Sequence, residues 1–130
     1  MNPGTIGEHA SPLRVWISPD ASLSEASELM QAEGVRHLPV LQDERLVGML
    51  TLSDLYAIQS MLALEPAESA VSMAMSQELY CVSPQTALAQ VAQEMAARGI
   101  GSAVVIEDER PVAIFTTTDA CRVLAQVLRA

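Results

Sequence analysis

Gly48-Met49-Leu50-Thr51-Leu52-Ser53-Asp54 decides how this chain is read, together with Ala113-Ile114-Phe115-Thr116-Thr117-Thr118-Asp119. Each is an apolar run that ends in a threonine, with a carboxylate three residues on. Bulky apolar residues favour a buried strand. Thr-x-x-Asp has the spacing at which a helix N-cap is answered from the first turn. Both stretches therefore predict a strand turning into a helix. They lie 119 − 54 = 65 residues apart, and this offset holds outward without a gap. Ser11 falls on Ser76, Ser18-Pro19 on Ser83-Pro84, Leu23 on Leu88, Met30 on Met95 and Gly34 on Gly99. Val40 falls on Val105, Asp43-Glu44-Arg45 on Asp108-Glu109-Arg110, and Val47 on Val112. Identities gathered at turns, helix ends and one polar motif mark an internal duplication.

Each copy reads as β-α-β-β-α. A short strand (Val15-Trp16-Ile17 or Tyr80-Cys81-Val82) runs into Ser-Pro, which ends it. A helix follows, with Ser22 as N-cap in the first copy and Glu25 at the capping-box position. Leu23, Ala26, Leu29 and Met30 recur at helical spacing, as do Leu88, Val91 and Met95, and Gly34 and Gly99 close the helices. An apolar strand, a polar hairpin turn at Gln42-Asp43-Glu44-Arg45 or Glu107-Asp108-Glu109-Arg110, the return strand and a second helix complete the unit. The expected fold is α/β (α+β), with repeats at 5–64 and 70–129 forming one module. A 60-residue copy buries little apolar surface by itself. Two copies packed about a pseudo-two-fold axis are expected to leave an inter-repeat cleft, a common kind of ligand site.

Composition narrows the function. The 130 residues are 50% apolar, which excludes a disordered tail. Seven basic against 16 acidic residues give a net charge of −9, so no nucleic-acid surface is expected. All seven cations are arginines; a P-loop or Schiff-base lysine is therefore excluded. Cys81, Cys121, His9 and His37 lack metal-site spacing, and no nucleophile–base pair stands out, so neither a metal nor an enzyme is expected. The two cysteines read as small core residues in a reducing cytosol, and a cytoplasmic location is expected. The N-terminal residues do not read as a signal peptide, and no apolar run is long enough to span a membrane.

The duplicated repeat, Val35-Arg36-His37-Leu38-Pro39-Val40 and the Gly48-to-Asp54 ending resemble a CBS (cystathionine beta-synthase) domain, and the pair resembles a Bateman module. The resemblance covers almost the whole chain. It implies a regulatory module rather than an enzyme, with adenine nucleotide (AMP, ADP or ATP) or S-adenosylmethionine as the regulatory ligand and a flat homodimer as the assembly. It further implies crosswise sites. One would hold Ile114, Thr116, Thr118 and Asp119, with Gly7, Pro12, Val35, Arg36 and His37 opposite. The other would hold Met49, Thr51, Ser53 and Asp54, with Ser72, Gln77, Ile100, Gly101 and Ser102 opposite. Asp would take the ribose diol, and the hydroxyls would reach ribose or α-phosphate.

Charge ranks the two sets. Arg36-His37 is matched in the other copy by Gly101-Ser102, so the Asp119 set is expected to bind phosphate more strongly. Gly48 is replaced by Ala113, which would count against close backbone approach to a ligand there. Met30 and Met95 read as core. Met73 and Met75 read as packing or as lining of the Asp54 set. Arg122, three residues after Asp119, would pair with that carboxylate or reach a phosphate. Leu55, Ile58, Met61 and Leu62, and Val123, Leu124, Val127 and Leu128, form stripes suited to a dimer surface. The repeats account for nearly every residue, so the chain is expected to regulate a separate protein or to act as a sensor or buffer for its ligand. The alternative is a structural dimerisation module with degenerate ligand sites.

Overall fold

Ten regular elements follow from the duplicated pattern in this computed structural model, which describes residues 3–62 and 69–129. They are β1 (Ser11–Pro12), α1 (Leu23–Glu33), β2 (His37–Gln42), β3 (Arg45–Thr51), α2 (Leu52–Leu62), β4 (Cys81–Val82), α3 (Leu88–Arg98), β5 (Ser102–Glu107), β6 (Arg110–Thr116) and α4 (Thr117–Arg129). Two single 3-10 turns, Ile6–Glu8 and Val71–Met73, stand at equivalent places. Residues 63 and 64, expected at the end of the first repeat and its last helix, lie outside the described residues, as does the side chain of Leu62.

Local chemistry starts and stops the helices as the residue types dictate. Ser22 is the N-cap of α1, its hydroxyl accepting from the Glu25 N–H at 3.0 Å. Ala87 holds the same place in α3 without a side-chain cap. Gly34 and Gly99 end the helices in the left-handed region, at φ 67° and 66°. The β2–β3 and β5–β6 hairpins turn on Asp43-Glu44 and Asp108-Glu109, all four at positive φ. That is the backbone of a two-residue turn of type I′, which follows the twist of its strands. Each hairpin carries a register shift at the same place, Val40/Leu41 and Val105/Ile106.

The chain divides into two units, Met1–Leu13 with Tyr80–Ala130, and Arg14–Leu79. These are not the two linear repeats, because each unit takes its leading segment from the other copy. In the first, β1 pairs antiparallel with β6 and β4 pairs parallel with β5, in the order β1-β6-β5-β4. In the second, single bridges replace the outer strands: Ser76 pairs with Met49, and Ile17 pairs with Val40. The 3-10 turns travel with their segments. The Ile6 N–H donates to the Thr86 carbonyl at 2.8 Å, and the Val71 N–H to Ala21 at 2.8 Å. Ile6 and Val71, both with no exposed surface, close the two cores.

One core holds Ile6, Leu88, Val91, Met95, Ala103, Val105 and Phe115. The other holds Ile17, Leu23, Ala26, Met30, Leu38, Val40, Leu50, Leu55 and Val71. Met30 and Met95 are core, as their helical spacing predicts. The cysteines are not: Cys81 and Cys121 are both exposed thiols. Cys81 lies on β4 with its side chain away from the core that Val82 packs against, and Cys121 follows the buried Asp119 around α4.

The Gly48/Ala113 difference has a packing cause. A methyl on Gly48 would lie 2.6 Å from Met75 Sδ and 3.2 Å from the Ser76 carbonyl oxygen. Met75 packs against the core, whereas in the other copy the residues at the same offset, Ala113 and Ala10, are both small and pack beside its core. The missing methyl thus makes room for a thioether. Gly48→Ala is expected to cost about 1–3 kcal/mol by overpacking. Combining it with Met75→Ala should recover part of that cost in a double-mutant cycle of denaturant melts; strictly additive losses would refute the contact.

Candidate functional site

Both Thr-x-x-Asp motifs sit where a return strand becomes a helix, and their backbones match. The first N–H of α2, from Leu52, donates to the Arg36 carbonyl at 3.0 Å; that of α4, from Thr117, donates to Gly101 at 3.1 Å. The Asp54 N–H donates to Thr51 Oγ1 at 3.1 Å, and the Asp119 N–H to Thr116 Oγ1 at 3.4 Å. The hydroxyls cap the helices, which is the structural half of the motif's work.

The carboxylates part company. Asp119 is 6% exposed. Its Oδ2 accepts from the Thr116 N–H at 2.9 Å and from Thr116 Oγ1 at 3.2 Å. Its Oδ1 accepts from Ser11 Oγ at 3.0 Å and from Arg122 Nη1 at 2.7 Å. Four donors meet about four lone-pair sites, so this carboxylate is saturated. Asp54 is half-buried, and among the described residues no donor is within hydrogen-bond distance of its carboxylate. The difference follows from two residues. Arg122 is matched by Ala57, which has nothing to offer. Ser11 is matched by Ser76, whose hydroxyl instead accepts from the Glu78 N–H at 3.2 Å.

Asp54 lies close enough to His37 for its charge to act on the imidazole. His37 stands opposite Thr51 in the β2–β3 ladder, and Arg36 precedes it. Burial pushes the His37 pKa below its ordinary value; the Asp54 charge opposes that shift, and Arg36 adds to it. His37 is therefore a neutral donor or acceptor at pH 7 rather than a cation. The sign of the pH effect follows. With the folded value below the unfolded 6.5, the unfolded chain takes up the proton first as pH falls. The contribution of neutral His37 to stability is complete above about pH 6.5 and is lost as pH falls through the lowered folded value. Thermal melts between pH 7.5 and 5 should show His37→Gln flattening this decline; an unaltered decline would refute it.

The first unit thus contains Gly7, Pro12, Ile100, Gly101, Ser102, Ile114, Thr116, Thr118 and Asp119. The second contains Val35, Arg36, His37, Met49, Thr51, Ser53, Asp54, Ser72 and Gln77. Pro12 pairs with Ala113 and Ser11 with Ile114, which brings the leading segment to Asp119. The Gly7 N–H is committed to the Pro84 carbonyl at 2.9 Å, and that of Ser72 to Pro19 at 3.1 Å. Ile100 packs against the core, while Ser53 and Thr118 are exposed on the first turns of their helices. Met75 packs, whereas Met73 is exposed. Val35 and Arg36 also border an open hollow of about 530 Å³ beside α1, with Leu52 and Tyr56 across it. Ser11 was not among the residues singled out by the sequence. The signal was there in its identity with Ser76, but not its direction toward Asp119.

This duplicated β-α-β-β-α unit, with its capped Thr-x-x-Asp, defines a class. The profile of the CBS domain matches residues 10–60 and 69–126, and the chain belongs to the CBS-domain family as a tandem pair. It is 30% identical over 103 residues to the CBS domain-containing protein YhcV of Bacillus subtilis (strain 168), covering 79% of this chain and 73% of that one. The CBS domain pair of protein MJ0100, in complex with 5′-methylthioadenosine and S-adenosyl-L-methionine, has the same fold at TM-score 0.84 and 20% identity, covering 94% of this chain and 96% of that one. CBSX2, in complex with AMP, matches at TM-score 0.81 and 25% identity, covering 95% and 98%.

Proposed function

We propose that this CBS pair is a regulatory ligand sensor. It takes an adenosine-containing metabolite and signals to a separate partner protein, as a homodimer in the cytoplasm and without catalysis of its own. The observation that carries this reading is the half-buried Asp54 carboxylate at the mouth of α2, open beside His37 and Arg36. A carboxylate with free lone pairs can accept both hydroxyls of a ribose diol. The adenosine ligands of MJ0100 and CBSX2 support the class of ligand.

The ranking by charge is set against this geometry. Asp119 already has its acceptor capacity filled, so Asp54 is the residue for the diol. Thr51 serves it as the cap, with Arg36 as the nearby cation for any phosphate. The saturated Asp119 also favours a second reading, a structural dimerisation module with degenerate sites. Calorimetric titration with AMP, ADP, ATP, 5′-methylthioadenosine and S-adenosylmethionine separates the two readings. Binding that is weakened about a hundredfold in Asp54→Ala supports the sensor. Silence toward the whole panel at millimolar concentration, with an intact dimer, supports the structural module and refutes the sensor.

A further inference from the structure

We propose that Arg122 is a latch on the Asp119 site, an internal cation that occupies the carboxylate and selects against ribose that lacks a phosphate. This rests on the sensor reading above. Arg122 Nη1 lies 2.7 Å from Asp119 Oδ1, and the pair joins successive turns of α4. The Asp119 side chain is 7% exposed and the Arg122 side chain 67%. The acceptor is thus withheld from water while its partner can swing away. Ser11 Oγ takes the other position on Oδ1, and Thr116 fills Oδ2.

A diol arriving at Asp119 must therefore replace donors already in place. Of these, Arg122 is the one whose departure leaves both the β1–β6 pairing and the helix cap intact. Thr116 belongs to the cap, and Ser11 is held by the strand register. An anionic ligand differs from a neutral one because it can take the displaced guanidinium as a new partner. A neutral nucleoside only loses the ion pair. The latch thus makes Asp119 discriminate by charge, while Asp54, whose copy has Ala57 in place of the arginine, accepts either.

Two variants isolate this site: Asp54→Ala, which leaves Asp119 as the remaining motif carboxylate, and Asp54→Ala/Arg122→Ala. Each is titrated by calorimetry with 5′-methylthioadenosine, which has a ribose and no phosphate, and with ATP. The double variant is expected to bind the neutral nucleoside about three- to tenfold more tightly and ATP no more tightly. If alanine compromises folding, as checked by circular dichroism, Arg122→Met retains the aliphatic stem. Equal or weaker binding of the neutral nucleoside would overturn the latch. Equal gains for both ligands would overturn its charge selection. Binding by the wild type without any gain in the double variant would remove the latch alone, whereas silence from every protein, wild type included, would remove the sensor reading with it.

Discussion

Asp54→Ala lowers affinity for an adenosine ligand by about a hundredfold, whereas Asp119→Ala changes it by less than about threefold. The first figure is the loss of two charge-assisted hydrogen bonds to a diol, each worth about 1.5 kcal/mol or more. The second follows from a carboxylate already spent on Thr116, Ser11 and Arg122. The costs in stability run the other way. Asp119→Ala strips the answering half of a capping box and leaves the Ser11 hydroxyl without its acceptor, a loss of about 1–2 kcal/mol. Asp54→Ala removes a carboxylate that accepts nothing from the described residues, and it should leave the melting temperature nearly unchanged. Calorimetry and thermal melts on the two variants check both halves. A large loss of binding in Asp119→Ala with none in Asp54→Ala would restore the order that charge alone implies.

Phe115→Ala costs about 3–5 kcal/mol and Leu50→Ala about 2–5 kcal/mol, the largest effects on stability expected anywhere in the chain. The two residues are repeat mates, 115 − 50 = 65 positions apart, on the return strands that lead into the motifs. Phe115 is 1% exposed and Leu50 not at all. Each belongs to its own core, Phe115 with Ile6, Val91 and Val105, and Leu50 with Leu23, Leu38 and Val71. The loss combines transfer of the side chain with the cavity left in a packed interior. For a domain whose total stability is about 5–15 kcal/mol, either variant is a large fraction of it. Urea denaturation followed by circular dichroism measures both, and a loss below about 1 kcal/mol in either would refute its place in the core.

Much of this was legible in the residues. The offset of 65 carried the duplicated unit, because turn and cap chemistry is local: Ser22, Gly34, Gly99 and the Thr-x-x-Asp caps do in the structure what their types allow. Helical spacing found Leu23, Ala26, Met30, Val91 and Met95, because one face of each helix must be buried. The cysteines misled for the same reason. Their type is usually buried, but Cys81 and Cys121 stand on the outward side of their elements. The stripes read as a dimer surface are divided: Leu55 lies in one core and Val123 packs on the other, while Leu124 is 56% exposed and Leu128 75%.

By itself, then, the sequence determined the repeat, the type of each element, the caps, most of the two cores and the polar motif where a ligand would be held. These depend on contacts within a few residues or on a single face. Only the tertiary structure decided which leading segment joins which sheet, since Ser11 finds Asp119 across 119 − 11 = 108 positions. It likewise decided that two identical motifs end with unlike carboxylates. That outcome turns on where one serine hydroxyl points and on an arginine one turn along α4, and hydrogen-bond direction is a property of the folded geometry, not of residue type.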